Sequence, residues 1–358
     1  MTTAQSQAET GRDFDLVLVL GGGNALGAFE AGVYEALHAH ALQPDWIIGT
    51  SIGAINAGLI LGAAPDRRIA TLRNFWRPGI LQSMGIAPPW MPPSAETGRR
   101  TAAVAWTIGA GRSGLFGPLL SSLTAWTDAP PALFETNQLR ATLEGSIDFD
   151  LLNAGPCRFT ATAVDLETGE DVIFDNRDTR IGPDHIRSSA ALPVAFPPVE
   201  IDGRWLVDGG ISANMALDSI LSQPPHRPTL CIAVDLLPLC GPRPATPGEA
   251  ASRLQDLVFA AQTRRTIARW QAVHADRNDI SLSLVKLAYT EQAHEVAGKA
   301  FDFSPATIEQ RWAAGHAAAM RIIARIAAGS LAIGDTGLNV ILCDGTSDTA
   351  SAAHPTSP

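Results

Sequence analysis

Residues 45–61 read Asp-Trp-Ile-Ile-Gly-Thr-Ser-Ile-Gly-Ala-Ile-Asn-Ala-Gly-Leu-Ile-Leu, which is an apolar run, a Gly-x-Ser-x-Gly turn and a second apolar run. This order is typical of a strand, a sharp turn and a helix, and Gly49 and Gly53 allow the backbone to bend tightly. A serine on such a turn lies at the edge of a sheet with its hydroxyl exposed, and the N–H groups that begin the next helix favour negative charge there. The stretch therefore predicts that Ser51 is a nucleophile.

A glycine-rich turn lies upstream of this unit. Residues 15–20 are a continuous apolar run, typical of a buried parallel strand, and a helical stripe follows the turn. The first 62 residues therefore predict an α/β fold with a mainly parallel sheet. Consecutive glycines free backbone N–H groups to point at one oxygen, so Gly22, Gly23 and Asn24 are predicted to bind the oxyanion of an acyl-transfer reaction.

A glycine-rich turn after a strand is also typical of dinucleotide binding. Such a site would need Gly-x-Gly-x-x-Gly and an acidic residue at the end of the next strand. Asn24 interrupts the glycine pattern, and the next strand pattern ends in Gly49-Thr50-Ser51. The sequence therefore favours acyl transfer over nucleotide binding.

Composition and charge limit the possible partners and cellular location of the protein. The chain has 358 residues, of which 46% are hydrophobic and 17% charged, and its net charge is −10, which argues against nucleic acid as a partner. Its four cysteines have no metal-ligand spacing, as expected for free thiols in a reducing compartment. We find no secretory signal pattern and no uninterrupted apolar stretch of about 18 residues. We therefore expect a cytoplasmic protein and leave peripheral membrane contact open.

Residue patterns divide the chain into four parts. Residues 1–13 are polar and are predicted to be a flexible leader. Residues 14–240 alternate strand and helix patterns, and within them 78–130 form an apolar, proline-rich and glycine-rich insertion. This insertion is predicted either to pack on the core or to act as a lid over an apolar site. Residues 248–335 carry helical stripes and are predicted to be a helical extension, and 345–358 a disordered tail.

A nucleophilic serine also needs a base, and none of the eight histidines has the local pattern of a triad base. Asp208 is the better candidate, because it ends a predicted strand and is followed by Gly209 and Gly210. An Asp-Gly-Gly sequence on its own favours a plain turn.

Together these motifs resemble the patatin-like phospholipases. The resemblance rests on three blocks in the order of that family, namely residues 18–33 with the glycine-rich turn, 49–53 with Ser51, and 187–210 ending in Leu-Val-Asp-Gly-Gly. It implies a three-layer α/β/α patatin-like fold over roughly residues 15–235. The helical residues beyond it are similar to an extension carried by one bacterial subset of the family.

The resemblance implies a Ser51–Asp208 dyad that needs no histidine, metal or cofactor. Ser51 would attack the carbonyl of a lipid or fatty acyl ester, and Asp208 would accept its proton. Two positions depart from the family pattern: Asn24 replaces a fourth glycine, and Leu26 stands where many members have Arg or Lys. No phosphate-binding cation is therefore expected at Leu26, and the resemblance does not fix phospholipid as the substrate.

Two other functions remain open from the sequence. One is a small-ester or polyester esterase that acts away from membranes. The other is a non-hydrolytic lipid-binding or protein-binding module that uses the helical extension as its interaction surface. The presence of both Ser51 and Asp208 favours the hydrolase, since a binding module needs neither. The sequence predicts neither the head group of the substrate nor the oligomeric state.

Overall fold

The structure, a computed structural model, describes residues 12–77, 95–119, 132–343 and 348–350. The strands of these ranges are β1 (Asp15–Leu20), β2 (Trp46–Thr50), β3 (Arg158–Asp165), β4 (Asp171–Asp175), β5 (Val199–Ile201), β6 (Arg204–Asp208), β7 (Thr229–Asp235), β8 (Ser281–Ala288), β9 (Gly337–Cys343) and β10 (Asp348–Ala350). The helices are α1 (Ala28–Ala39), α2 (Ile52–Leu61), α3 (Arg68–Trp76), α4 (Glu96–Ala110), α5 (Asn137–Ser146), α6 (Phe149–Ala154), α7 (Pro183–Ser189), α8 (Gly210–Ala213), α9 (Asp218–Leu221), α10 (Pro247–Val273) and α11 (Pro305–Ala327).

The strands form one mixed, mostly parallel sheet. Nine of them lie in the order β10-β9-β8-β7-β1-β2-β3-β6-β5, and β4 pairs with β3 as a tenth. The six strands β9, β8, β7, β1, β2 and β3 are mutually parallel, whereas β4, β5, β6 and β10 pair antiparallel. The predicted α/β class with a mainly parallel sheet is confirmed.

Helices cover both faces of this sheet. The side chains of β1 alternate between two apolar cores: Leu16, Leu18 and Leu20 pack with residues of α1, α2 and α11. Val17 and Val19 pack on the other face with residues of α9 and α10. Because both faces are buried, the strand is apolar at consecutive positions, as expected for a central parallel strand. The predicted three-layer α/β/α arrangement is confirmed.

The C-terminal region contains the predicted helices, α10 and α11, but it also contains β8 and β9, which the sequence analysis missed. Strand β8 pairs in parallel with β7 along its whole length, so the sheet continues past the predicted boundary at residues 240–248. Leu282 and Leu284 are buried on one face and Val285 and Leu287 on the other. This two-sided burial selects a strand here, so the predicted helical extension at 248–335 is not entirely helical.

The structure describes a few residues of each predicted chain end. Arg12, assigned to the flexible leader, donates a hydrogen bond to the Gln43 carbonyl at 2.7 Å and pairs with Asp45 at 3.1 Å. In the predicted disordered tail, strand β10 pairs antiparallel with β9, whose backbone groups would otherwise be unpaired at that edge. Residues 1–11, 344–347 and 351–358 lie outside the described residues.

The insertion predicted at 78–130 is described only in part. Residues 78–94 and 120–131, which include Trp90 and Trp126, lie outside the described residues. The described part packs on the core: Arg112 is buried and donates hydrogen bonds to the carbonyls of Phe75 and Arg77, both at 2.9 Å. A lid function of this insertion remains a prediction.

None of the helices in the described ranges combines the length and the hydropathy that crossing a bilayer requires.

Helices α1 and α11 touch backbone to backbone. A Cβ atom at Gly32 would lie 2.0 Å from the Trp312 carbonyl oxygen, and one at Gly315 would lie 1.9 Å from the Phe29 carbonyl oxygen. The two helices can therefore approach this closely only because both positions are glycine.

This contact predicts that Gly315→Ala destabilises the protein by at least about 2 kcal/mol, because the added methyl forces α11 away from α1 and disturbs core packing. Denaturant unfolding followed by circular dichroism measures the change. Gly98→Ala is the matched control: it is also helical, nothing lies within 4 Å of its added Cβ, and it should be neutral or slightly stabilising. Equal stability of both variants would contradict the tight crossing.

Candidate active site

The turn that carries Ser51 joins β2 directly to α2. Ser51 has φ 57° and ψ −124°, a left-handed backbone conformation that costs a non-glycine residue about 1–3 kcal/mol. Neighbouring contacts impose it: a Cβ at Gly49 would lie 2.5 Å from the Ala54 nitrogen, and one at Gly53 would lie 2.3 Å from the Leu20 carbonyl oxygen. The predicted strand–turn–helix geometry is present, and the two glycines are what permit it.

Strand β6 carries Asp208 to this turn. It runs antiparallel to β3 and ends with Asp208 opposite Ala163. The preceding residue of β3, Thr162, is the register partner of Thr50, which directly precedes Ser51. The topology thus brings Ser51 and Asp208 together although 156 residues lie between them in the sequence.

The Asp208 carboxylate is almost fully buried, with 3% of the residue exposed. Burial raises its pKa from 3.8 to about 6, although the neighbouring Ser51 hydroxyl and the hydrogen bond from the Gly210 N–H lower it. The Gly210 bond is 2.7 Å long. The carboxylate is therefore a stronger base than an ordinary aspartate, and the Ser51 side chain lies beside it.

The two glycines after Asp208 are required by close contacts. A Cβ at Gly209 would lie 2.4 Å from the Thr162 hydroxyl oxygen, and one at Gly210 would lie 2.9 Å from the Asn214 amide oxygen. The Asp-Gly-Gly sequence therefore does more than form a turn, because a larger residue at either position would push the aspartate strand away from β3 or from Asn214.

The glycine-rich turn follows β1, next to the Ser51 turn. The Gly22 N–H donates to the Asn214 carbonyl at 3.3 Å. For the N–H groups of Gly23 and Asn24, no acceptor is found among the described residues. Of the three predicted oxyanion donors, Gly23 and Asn24 are thus free to bind a ligand, whereas Gly22 is already engaged. Leu26, two residues on, is fully buried and packs in the core.

Ser51, Asp208 and the glycine-rich turn open into one cavity of about 200 Å³. The rest of its lining is mostly apolar and includes Ile52, Ile55, Phe116, Leu192, Phe196 and Phe301. Among the described lining residues, Asp208 has the one ionisable side chain. In the described ranges no group of three or more His, Cys, Asp or Glu side chains is placed to hold a metal ion. The cavity therefore suits an apolar group beside the Ser51 hydroxyl.

Two residues of the site were not assigned a role from the sequence. The Ser189 hydroxyl accepts the Ser51 N–H at 3.0 Å and so holds the strained turn. The Asn214 amide donates to the Gly22 carbonyl at 3.1 Å and so holds the glycine-rich turn. Ser189 lies inside the third sequence block, which was a usable signal. Asn214 follows that block with no pattern that marks it, and only the fold shows its position.

The raised pKa of Asp208 predicts a gain in stability for Asp208→Asn at alkaline pH. The contribution of Asp208 is fully present below its ordinary pKa of 3.8 and is lost as pH rises through about 6, because the folded protein disfavours the charged form. The difference corresponds to at most about 3 kcal/mol. We expect Asp208→Asn to unfold with a free energy about 1–3 kcal/mol higher at pH about 8 and with a smaller difference near pH 4.

Urea titrations at the two pH values measure this, with Asp276→Asn as the exposed-aspartate control. A loss of stability in Asp208→Asn at the higher pH would show that the buried, ionised carboxylate does not destabilise the folded protein.

Comparisons with known proteins show what the chain is similar to. A family model described as Patatin-like phospholipase matches residues 18–221, more than half of the chain, and one described as Patatin phospholipase matches residues 249–328. The chain is 28% identical over 205 residues to a patatin-like phospholipase domain-containing protein of Caenorhabditis elegans, covering 56% of this chain and 12% of that protein. It is 26% identical over 201 residues to an uncharacterized NTE family protein of Mycobacterium tuberculosis, covering 56% and 27%.

The chain thus spans about a quarter or less of the length of these two relatives. Among solved structures, VipD from Legionella pneumophila aligns over 87% of this chain and 67% of that chain, with 12% identity and a TM-score of 0.42. On the match of the first family model, the chain belongs to the patatin-like phospholipase family.

Proposed function

We propose that this protein hydrolyses carboxylic esters of lipids or fatty acyl groups through an acyl-Ser51 intermediate. The observation that carries the proposal is the position of the Ser51 side chain beside the buried Asp208 carboxylate at the wall of an apolar cavity. A hydroxyl needs a base to become a nucleophile, and the raised pKa of Asp208 makes it a better base at neutral pH.

In the proposed first half-reaction, the Ser51 oxygen attacks the ester carbonyl carbon while its proton passes to Asp208. The negative charge that develops on the carbonyl oxygen is stabilised by the free N–H groups of Gly23 and Asn24. When the tetrahedral intermediate collapses, the ester C–O bond breaks, and the leaving alcohol takes the proton from Asp208. Acyl-Ser51 and a free alcohol result.

In the second half-reaction, water attacks the acyl carbon and gives its proton to Asp208. The same N–H groups stabilise the second oxyanion. Collapse of this intermediate releases the carboxylic acid and returns the proton to the Ser51 oxygen. One carboxylate therefore serves as base and then acid in each half, and the reaction needs no histidine.

A small-ester esterase is the second candidate, and the modest cavity of about 200 Å³ favours it.

Contact of the protein with a lipid surface is supported by exposed apolar side chains beside the cavity lining. Val194 is 71% exposed between the lining residues Leu192 and Ala195, and Leu254 is 64% exposed next to the lining residue Gln255. A cytoplasmic location remains a prediction from the sequence.

If the dyad is correct, Ser51→Ala and Asp208→Asn each lower kcat by about 10³-fold or more, because each removes a partner of the proton transfer. The assay is hydrolysis of a chromogenic fatty acyl ester, together with labelling by a fluorophosphonate probe. Ser212→Ala, an exposed serine two residues after Gly210, should keep full activity and labelling. Activity retained in folded Ser51→Ala would eliminate the proposed mechanism.

The pKa of Asp208 also predicts the pH dependence of kcat/KM for an uncharged ester. Only the ionised carboxylate accepts the serine proton, so kcat/KM should be flat at alkaline pH and fall about tenfold per pH unit below a midpoint near 6. A profile that stays flat down to pH about 4, with the protein folded throughout, would mean that another group is the base.

A further inference from the structure

The cavity beside Ser51 is built partly by the C-terminal region. Four of its lining residues, Gln255, Phe259, Ala300 and Phe301, come from beyond the predicted boundary at residues 240–248. Phe301 ends a short 3-10 turn, Lys299–Phe301. A region whose role was open from the sequence therefore supplies part of the wall that an acyl chain would touch.

Phe301 completes an aromatic wall. Its ring centroid lies 6.1 Å from that of Phe116, with the rings nearly perpendicular, and 5.9 Å from that of Phe134. Phe116 in turn lies 5.3 Å from Phe196. Phe116, Phe196 and Phe301 all line the cavity, and the contacts among these rings close its aromatic side.

Buried charges hold the turn that carries Phe301. Arg311 donates to the carbonyls of Lys299 and Asp302, at 2.9 and 3.0 Å, on either side of Phe301. Its guanidinium also pairs with Glu295 at 2.7 Å, and Glu295 pairs with Arg100 of α4 at 3.3 Å. Arg100 and Arg311 are fully buried. Although burial raises the pKa of Glu295, the two guanidinium groups bring it below its ordinary value.

A second set of contacts fixes the flanks of the same turn. The Lys299 ammonium pairs with Asp256 of α10 at 2.7 Å. The Asp302 carboxylate accepts hydrogen bonds from the Ser304 N–H and the Thr307 hydroxyl, at 3.0 and 2.7 Å. Removing one partner of such a buried pair leaves an uncompensated charge, so the turn cannot move aside easily. Phe301 is thus a fixed part of the wall.

We propose that Phe301 determines specificity by limiting the length of the acyl chain that binds beside Ser51, so that the preferred substrates are esters of medium-length acyl groups. The inference rests on the proposed function of the same cavity. A fixed aromatic wall accepts methylene groups until the space is full, and a longer chain must then either displace Phe301 from its ring contacts or remain in water.

Hydrolysis across a series of saturated p-nitrophenyl esters, from butyrate to palmitate, tests this. Wild-type kcat/KM should rise with length and then fall beyond a medium-length chain. Because each buried methylene changes affinity by about fourfold, Phe301→Ala should raise kcat/KM for the longer esters by about tenfold or more while leaving butyrate within about threefold. The length optimum moves to longer chains.

Phe303→Leu is the matched control. Phe303 lies two residues away, and its ring lies 6.2 Å from that of Phe116, but it does not line the cavity. Its substitution should lower stability without moving the length optimum. If Phe301→Ala does not fold, Phe301→Val carries the same test. An unchanged optimum in a folded, active Phe301 variant overturns the proposal, as does an equal shift in Phe303→Leu.

A binding measurement separates this inference from the hydrolytic mechanism. In the Ser51→Ala background, calorimetry with fatty acids from hexanoate to palmitate should show affinity that rises and then levels off. When Phe301→Ala is added, the affinity should level off at a longer fatty acid. Failure of hydrolysis with this binding pattern present would reject the proposed function but support Phe301 as the length limit. Identical binding profiles with and without Phe301→Ala would reject the limit itself.

Discussion

Helix α2 approaches the ends of β1 and β2 so closely that no side-chain atom fits between them at Gly49 or Gly53. This contact forces Ser51 into a left-handed conformation and fixes where its hydroxyl lies. The other parts of the site are placed relative to that hydroxyl. The glycine-rich turn follows the neighbouring strand β1. Asp208 ends β6, which runs antiparallel to β3 and so brings this residue back toward the carboxyl ends of the parallel strands.

The strained serine turn is stabilised by groups that are themselves buried. Ser189 binds its N–H, and Asn214 binds the glycine-rich turn on two sides. The desolvated Asp208 carboxylate adds further local cost, which the rest of the core must offset. Stored strain and a carboxylate with a raised pKa at one place are what a reactive site requires and what a purely structural turn would avoid.

The sequence predicted those parts of the fold and site that depend on local pattern. A strand followed by Gly-x-Ser-x-Gly, a glycine run after β1 and Asp-Gly-Gly at the end of β6 each have a local physical cause, and each strand was found where expected. The predictions failed where long-range pairing decides the structure. Residues 281–288 alternate weakly as a sequence, and only the presence of β7 beside them makes a strand. Likewise, no local pattern shows that Asn214 and Phe301 reach the same cavity, because the fold alone brings them together.

The backbone contact of α1 with α11, at Gly32 and Gly315, has a consequence for how the chain folds. It joins two helices that lie far apart in the sequence, so a long loop must close before either helix has its final neighbour. During synthesis, the face of α1 that contacts α11 stays uncovered until α11 leaves the ribosome. The wall around Phe301 is completed at the same late stage. The order of synthesis thus delays assembly of the cavity until α11 has been made, and long-range contacts of this kind slow folding relative to mainly local ones.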